Sequence, residues 1–358
     1  MLERTSRHSV ELYCCLSALR YGQNACRFSA TPDPLATIRI IMLTARSIQT
    51  FGSLLALATL LSAIHPVAHG RTWPVDDDTE VVGALEIEFA RRTDTLMDIA
   101  RWLSLGHYEL RRANPSVDLW QPGEGTRVLI PALFVLPEGH RDGIVINRAE
   151  KRLYYFHDDP DTGERQVTTY PIGIGKQGRE TPLGSARVVT KLDNPTWYPT
   201  QGVIDDYARQ GRSLARVVPP GPDNPLGAHA IVLDLPGYLL HGTNRPDGVG
   251  MRVSQGCVRL YPEHIRDLVA AVPLGTEVHF VDQPIQLGVR AEKIYLRVLP
   301  DAEGQMPARA AVMAKVEDWL ASRGMTASEA VDSESIDRLI RAADGVTQAV
   351  GRVPNGNG

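Results

Sequence analysis

The spacing of apolar residues changes along the chain, and the changes divide it. In TLMDIARWLSL, Leu96, Ile99, Ala100 and Leu103 recur at i, i+3, i+4 and i+7, the signature of one buried helix face. A second short helix fits HYELRRANP, and the strand-like RVLIP ends at Pro131, giving a βααβ unit over residues 85–132. From Gly143 the period becomes two. IVINRAEKRLYYF predicts two strands joined by a turn at Asn147 to Lys151, and RQVTTYPIGIG, SARVVTKL, GYLLHG and TEVHFV predict further strands over residues 141–284. Gly and Pro in GKQGRETPLG and VVPPGPDNPLG predict long ordered loops between them. YPEHIRDLVAAV interrupts as a helix, with Pro262 in its first turn. Past Pro300 the pattern turns helical in ARAAVMAKVEDWL and SIDRLIRAADGV, then frays towards Gly358, so residues 300–358 read as a helical, flexible extension without recognisable chemistry.

The first 70 residues stand outside this pattern. From Met42, a single Arg46 precedes an apolar run from Phe51 to Ile64 and then Ala68-His69-Gly70, the tripartite layout of a secretory signal over residues 42–70. The run is short for a spanning helix of about 20 residues, so export is the expectation and an uncleaved anchor the alternative. Residues 1–41 show no period, and Met42 offers a second start, so the upstream stretch reads as a start-site artefact. Removing the leader takes away six basic and three acidic side chains and moves the charge balance from −4 to −7, which argues against a nucleic-acid partner. It also removes Cys14, Cys15 and Cys26, leaving Cys257 alone and without an intramolecular disulfide. A hydrophobic fraction of 43% against 22% charged residues excludes wholesale disorder, and the lack of a second long apolar run excludes a multi-spanning helical membrane protein.

The candidate chemistry lies in YLLHGTNRPDGVGMRVSQGCVR, Tyr238 to Arg259. His241 ends an apolar strand, and Cys257 follows 16 positions later, after a Gly-rich loop. A free thiol of pKa about 8.5 is only a few per cent thiolate at neutral pH, so a nucleophilic cysteine needs a neighbouring base, and His241 is the candidate. Ser254, Gln255 and Gly256 precede the thiol where backbone N–H groups could meet an oxyanion. Arg259, two positions on, shares the thiol's side of an extended segment and could hold a carboxylate.

These strings resemble the L,D-transpeptidase catalytic domain, the YkuD-like family. Its signature HGT followed by S-H-G-C-[IV]-R takes the form His241-Gly242-Thr243 and Ser254-Gln255-Gly256-Cys257-Val258-Arg259 in this chain. Tyr170-Pro171-Ile172-Gly173-Ile174-Gly175, Asn194-Pro195-Thr196-Trp197 and the Pro219 to Gly227 string resemble the Gram-negative periplasmic branch. Upstream, Ala113-Asn114-Pro115, Gln121-Pro122-Gly123 and Val128-Leu129-Ile130-Pro131 resemble a LysM module. The resemblance implies a mainly β, sandwich-like catalytic domain with one or two helices, a small α+β glycan-binding domain and a periplasmic location. It implies Cys257 as nucleophile, His241 as base and acid, the Ser254 to Cys257 loop as oxyanion site, and Arg259, Gly242, Thr243 and Asn244 as substrate contacts. The implied substrates are peptidoglycan stem peptides and glycan, with the C-terminal lysine of an outer-membrane lipoprotein as a further acyl acceptor, carbapenems as covalent inhibitors and no cofactor. Gln255 departs from the usual His, and since an amide cannot titrate, no second imidazole is expected to act there.

Other readings weigh less. A zinc site lacks further ligands at metal-binding spacing. GIGKQG lacks the GK[ST] ending of a phosphate loop. The competing class is a non-catalytic wall-binding protein, in which the LysM-like unit acts and the second domain is a scaffold.

Overall fold

The computed structural model describes residues 69–354; the leader and start-site expectations for residues 1–68, and residues 355–358, lie outside it. Among the described residues no helix is long and apolar enough to cross a membrane. A short strand β1 (Arg71–Pro74) leads into β2 (Val81–Phe89), α1 (Leu96–Trp102), α2 (His107–Ala113) and β3 (Arg127–Val135). β2 and β3 pair antiparallel along their whole length, so the strands extend beyond residues 85–132 at both ends. Helix α1 starts where Thr95 and Asp98 cap each other's main-chain N–H groups at 3.0 Å, a reciprocal capping box. It ends at Trp102, one residue short of Leu103, which stays on the same apolar cluster as the C-cap. Asn114 is buried after α2: its amide donates to the Leu110 and Leu129 carbonyls and accepts from the Leu129 N–H at 2.7 Å, tying the helix to β3.

The central layer is β4 (Gly143–Asn147), β5 (Arg152–Asp158), β6 (Arg165–Pro171), β7 (Ile174–Gly175), β8 (Gly184–Asp193), α3 (Gln201–Arg209), β9 (His229–Leu233), β10 (Leu239–His241), β11 (Arg252–Ser254), β12 (Val258–Arg259), α4 (Pro262–Ala271) and β13 (Glu277–Val281). Nine strands run in one hydrogen-bonded order, β1-β6-β5-β4-β13-β8-β9-β10-β12, and β7 and β11 form a separate parallel pair. The expected turn from Asn147 to Lys151 joins β4 and β5, whose register pairs Asn147 with Arg152.

Alternation along β4 and β5 feeds two cores. Ile144, Ile146, Leu153 and Tyr155 point into a cluster completed by α4 residues Ile265 and Leu268. Val145, Tyr154 and Phe156 point the opposite way, into a cluster with Leu96, Ile99 and Ala100 of α1 and Phe134 of β3. Period two places successive side chains on opposite faces, so a strand apolar at every position needs a cover on both. The βααβ unit is the second cover, and each such side chain it buries is worth about 1.5–3 kcal/mol.

The expectation of a helical, flexible extension over residues 300–358 is corrected for its described part, which shares a sheet with residues before it. β14 (Ile285–Arg290), β15 (Lys293–Val298) and the late strand β16 (Gln348–Arg352) form an antiparallel sheet in that order. α5 (Arg309–Ala321), the single turn α6 (Ala327–Ala330) and α7 (Ser333–Ala342) complete it, with Val312, Val316, Trp319, Leu320, Ile336 and Leu339 buried against the strands. The two helices sit where their apolar spacing puts them, but on a sheet, as an ordered α+β unit.

Four charged side chains pin the parts together. Glu109 of α2, Glu150 of the β4–β5 turn, Arg152 of β5 and Arg297 of β15 are all buried. Arg152 bonds Glu109 at 2.5 Å, Arg297 bonds Glu109 at 3.0 Å and also pairs with Glu150, and the Tyr154 hydroxyl donates to Glu150 at 2.6 Å. Both guanidiniums lie over the Phe134 ring, at 4.2 and 5.6 Å.

Candidate functional site

His241 and Cys257 are positioned by two short parallel strands. β10 pairs with β12 so that Leu240 faces Val258 and His241 faces Arg259. Leu240 and Val258 point into the core, so His241, Arg259 and, one residue before β12, Cys257 share the other face. Continuing that register, Cys257 stands level with Leu239, two residues along β10 from His241 and on the same face.

The two groups differ in exposure. Cys257 is half-buried, whereas His241 is only 4% exposed. His241 Nδ1 lies 2.6 Å from the Gly242 carbonyl oxygen, which can only accept, so Nδ1 carries the proton and Nε2 keeps its lone pair as a base. Burial, with the Arg259 charge nearby, lowers the imidazole to about 4, outweighing the carbonyl bond. Burial also pushes the thiol up, against the opposing pull of the Leu239 amide and Arg259. The S–H donates to the Gly237 carbonyl at 3.5 Å. Both directions describe a resting pair of neutral thiol and neutral imidazole.

The turn before the thiol is built from its own residues. The Ser254 hydroxyl donates to the Cys257 carbonyl and accepts the Gly256 N–H at 3.2 Å. Ser254 therefore shapes the turn and engages one of the N–H groups expected to serve an oxyanion. Gly256 adopts φ +113°, and a Cβ there would come within 3.0 Å of the Tyr238 ring. Its carbonyl accepts the Thr181 hydroxyl at 2.8 Å. Gln255 is exposed.

Of the expected substrate contacts, two are turned inward. Thr243 is 3% exposed and its hydroxyl accepts the Arg245 N–H at 2.9 Å, while a Cβ on Gly242 would meet Ile265 at 3.1 Å. They build the loop, leaving Asn244 and Arg259 as the accessible members. Asn244 is exposed and donates to the Pro222 carbonyl at 3.2 Å. Arg259 is half-buried, and its Nε has no hydrogen-bond partner among the described residues. Burial, then the Arg245 charge, lowers its pKa, the cost of a cation short of counter-charge. Among the described residues no group of three His, Cys, Asp or Glu side chains is placed to hold a metal.

Residues 141–280 match the family model described as the L,D-transpeptidase catalytic domain. The probable L,D-transpeptidase YcfS of Escherichia coli (strain K12) is 41% identical over 244 residues, 66% of this chain and 73% of that protein. The chain belongs to the L,D-transpeptidase family. The probable L,D-transpeptidase ErfK/SrfK of the same strain is 44% identical over 195 residues, 54% of this chain and 61% of its own length, so the chain spans about three-fifths of that relative. A solution structure of the catalytic domain from the E. faecium L,D-transpeptidase is 21% identical, covering 40% of this chain and 99% of that one, with a TM-score of 0.30.

Thr181, the Gly237 carbonyl and the Leu239 amide belong to this candidate site but are not marked by any motif in the sequence. Thr181 lies in GKQGRETPLG, where its loop composition is visible and its partner is not. Main-chain groups leave no side-chain signature at all.

Proposed function

We propose that the chain is an exported, periplasmic peptidoglycan L,D-transpeptidase with Cys257 as nucleophile and His241 as general base and acid. The observation that carries this reading is the half-exposed thiol on the same sheet face as a buried imidazole whose free nitrogen is Nε2. In the first half-reaction Sγ attacks the carbonyl joining the diaminopimelate of a stem tetrapeptide to its terminal D-Ala, and the S–H proton passes to Nε2. Collapse breaks the C–N bond, Nε2 returns the proton to the departing D-Ala amine, and a thioester remains. An acceptor amine then attacks, losing its proton through Nε2 to the leaving thiolate. The acceptor is the diaminopimelate amine of a second stem, giving a 3→3 cross-link, or the C-terminal lysine of an outer-membrane lipoprotein. Water in the same place gives a hydrolase. Arg259, short of counter-charge, would hold a stem carboxylate. The βααβ unit, as a LysM-like module, would hold the glycan.

Incubating the protein with disaccharide-tetrapeptide, with and without a lipoprotein C-terminal peptide, tests the acceptor; release of D-Ala with neither dimer nor conjugate would leave hydrolysis. His241→Ala is expected to lower turnover by about 10²–10⁴-fold, the usual worth of a positioned base, and Gln255→Ala by far less because that amide is exposed. Equal losses from the two substitutions would contradict this division of roles.

The pH dependence follows from the shifts. With the thiol above its ordinary value and the imidazole neutral above about pH 4, the thiolate fraction rises with pH and is not held up by an imidazolium at neutrality. Alkylation of Cys257 by iodoacetamide should keep climbing beyond about pH 8.5, where a free cysteine is half ionised. A plateau near pH 6–7 would instead reveal a resting thiolate–imidazolium pair.

A further inference from the structure

We infer that the turn between α1 and α2 is a positioning element of the thiol site, with Gly106 and His107 clamping the loop that joins His241 to Cys257. The inference rests on the reading of Cys257 as nucleophile. The His107 N–H donates to the Val249 carbonyl at 3.1 Å, and the next residue of that loop, Gly250, donates its own N–H to the Ile172 carbonyl at 3.0 Å. Residues 249 and 250 are thus held from both sides. The contact leaves no room for a side chain: a Cβ on Gly250, whose φ is +84°, would lie 2.3 Å from the His107 nitrogen, and one on Gly106 would lie 2.9 Å from the Gly250 Cα.

Both directions along the loop lead from this clamp to residues of the candidate site. Upstream, Gly248 lies against Arg259, where a Cβ would stand 3.2 Å from Nη1. Downstream, β11 begins two residues later and pairs with β7, and the Ser254 carbonyl accepts the Lys176 N–H at 3.0 Å. Ser254 in turn holds the Gly256 amide and the Cys257 carbonyl. The clamping turn is itself fastened to the segment after Cys257. Tyr261 donates its hydroxyl to the Leu105 carbonyl at 3.2 Å, Arg101 grips Glu263 through two bonds of 2.7 Å, and Ser104 bonds His264 at 3.1 Å. A unit serving only to concentrate glycan near the thiol needs no main-chain bond to the catalytic loop, since a flexible tether does that. This one forms part of the loop's frame.

Misplacing a reacting group by about 1 Å can cost on the order of 10²-fold in rate. Gly106→Ala, which pushes the turn off Gly250, should therefore slow acylation of Cys257 by a carbapenem about 10- to 100-fold. Because a carbapenem carries no glycan, lost glycan binding cannot produce that result. With a glycan-free tetrapeptide, kcat should fall while KM holds, and Arg92→Ala, at an exposed position on the same unit, should leave both unchanged. Should Gly106→Ala not fold, Tyr261→Phe removes only the hydroxyl bond to Leu105; it should slow acylation a few-fold and speed amide exchange over residues 245–256. Wild-type acylation rates in the folded variants would overturn the inference. A wild-type protein that is not acylated at Cys257 would instead overturn the nucleophile reading, and this inference with it.

Discussion

Cys257→Ser is expected to abolish acyl transfer, with a loss of about 10⁴-fold or more, as for other enzymes stripped of a covalent nucleophile. A hydroxyl at this position would depend wholly on an imidazole that burial has made a weak base, with a pKa of about 4. Sulfur tolerates a weak base because its proton is easier to remove; oxygen does not. The fold should be indifferent, because the thiol is half-exposed and the bond it donates, to the Gly237 carbonyl, is long. Intact-mass analysis after carbapenem treatment should show a single adduct on the wild type and none on the variant, with the two melting at closely similar temperatures. An adduct that persists on the variant would place the nucleophile elsewhere.

The second large effect concerns stability. Arg297→Leu should cost about 3–5 kcal/mol, because it leaves Glu150 and Glu109 buried with only Arg152 to answer two carboxylates. For a unit of this size that corresponds to a fall of roughly 10 °C in Tm. Glu109 also supplies a pH signature. Burial acts to raise its carboxyl, but Arg152 and Arg297 outweigh burial and hold it below the usual range. A carboxyl lowered on folding contributes stability above its unfolded pKa of about 4.3, and that contribution is lost as pH falls through the folded value. Denaturant unfolding should therefore show a wide gap between wild type and Arg297→Leu at neutral pH and a narrower one in acid. A gap that stays constant to about pH 3, below that unfolded value, would mean that the loss comes from packing over Phe134 and not from charge.

The sequence carried much of this. Apolar spacing located α1 and α2, Pro262 marked the start of α4, and alternation located β4 and β5 with their turn. The motif spacing marked the segments that pair as β10 and β12, with His241 opposite Arg259 and Cys257 one residue ahead of β12. The misses have physical causes. The β14–β15 hairpin turns on Ala291-Glu292, both at positive φ, where Asn-Gly would have announced it. β16 is five residues with a glycine inside, and its partner β15 lies far upstream, beyond three helices, so no local pattern marks it. Gly106 and Gly250 look like ordinary loop glycines until the packing of two distant segments makes each indispensable to the other.

The sheet's second apolar face has a consequence for how such a chain can be divided. A cut at residue 141 keeps every strand that carries His241 and Cys257, yet it strips the roof from Val145, Tyr154, Phe156 and Val167. Such a fragment would be sticky rather than soluble, and grafting it behind a different wall-binding head would succeed only if the newcomer brought a matching greasy underside. What looks like two beads on a string is closer to a lid and its box.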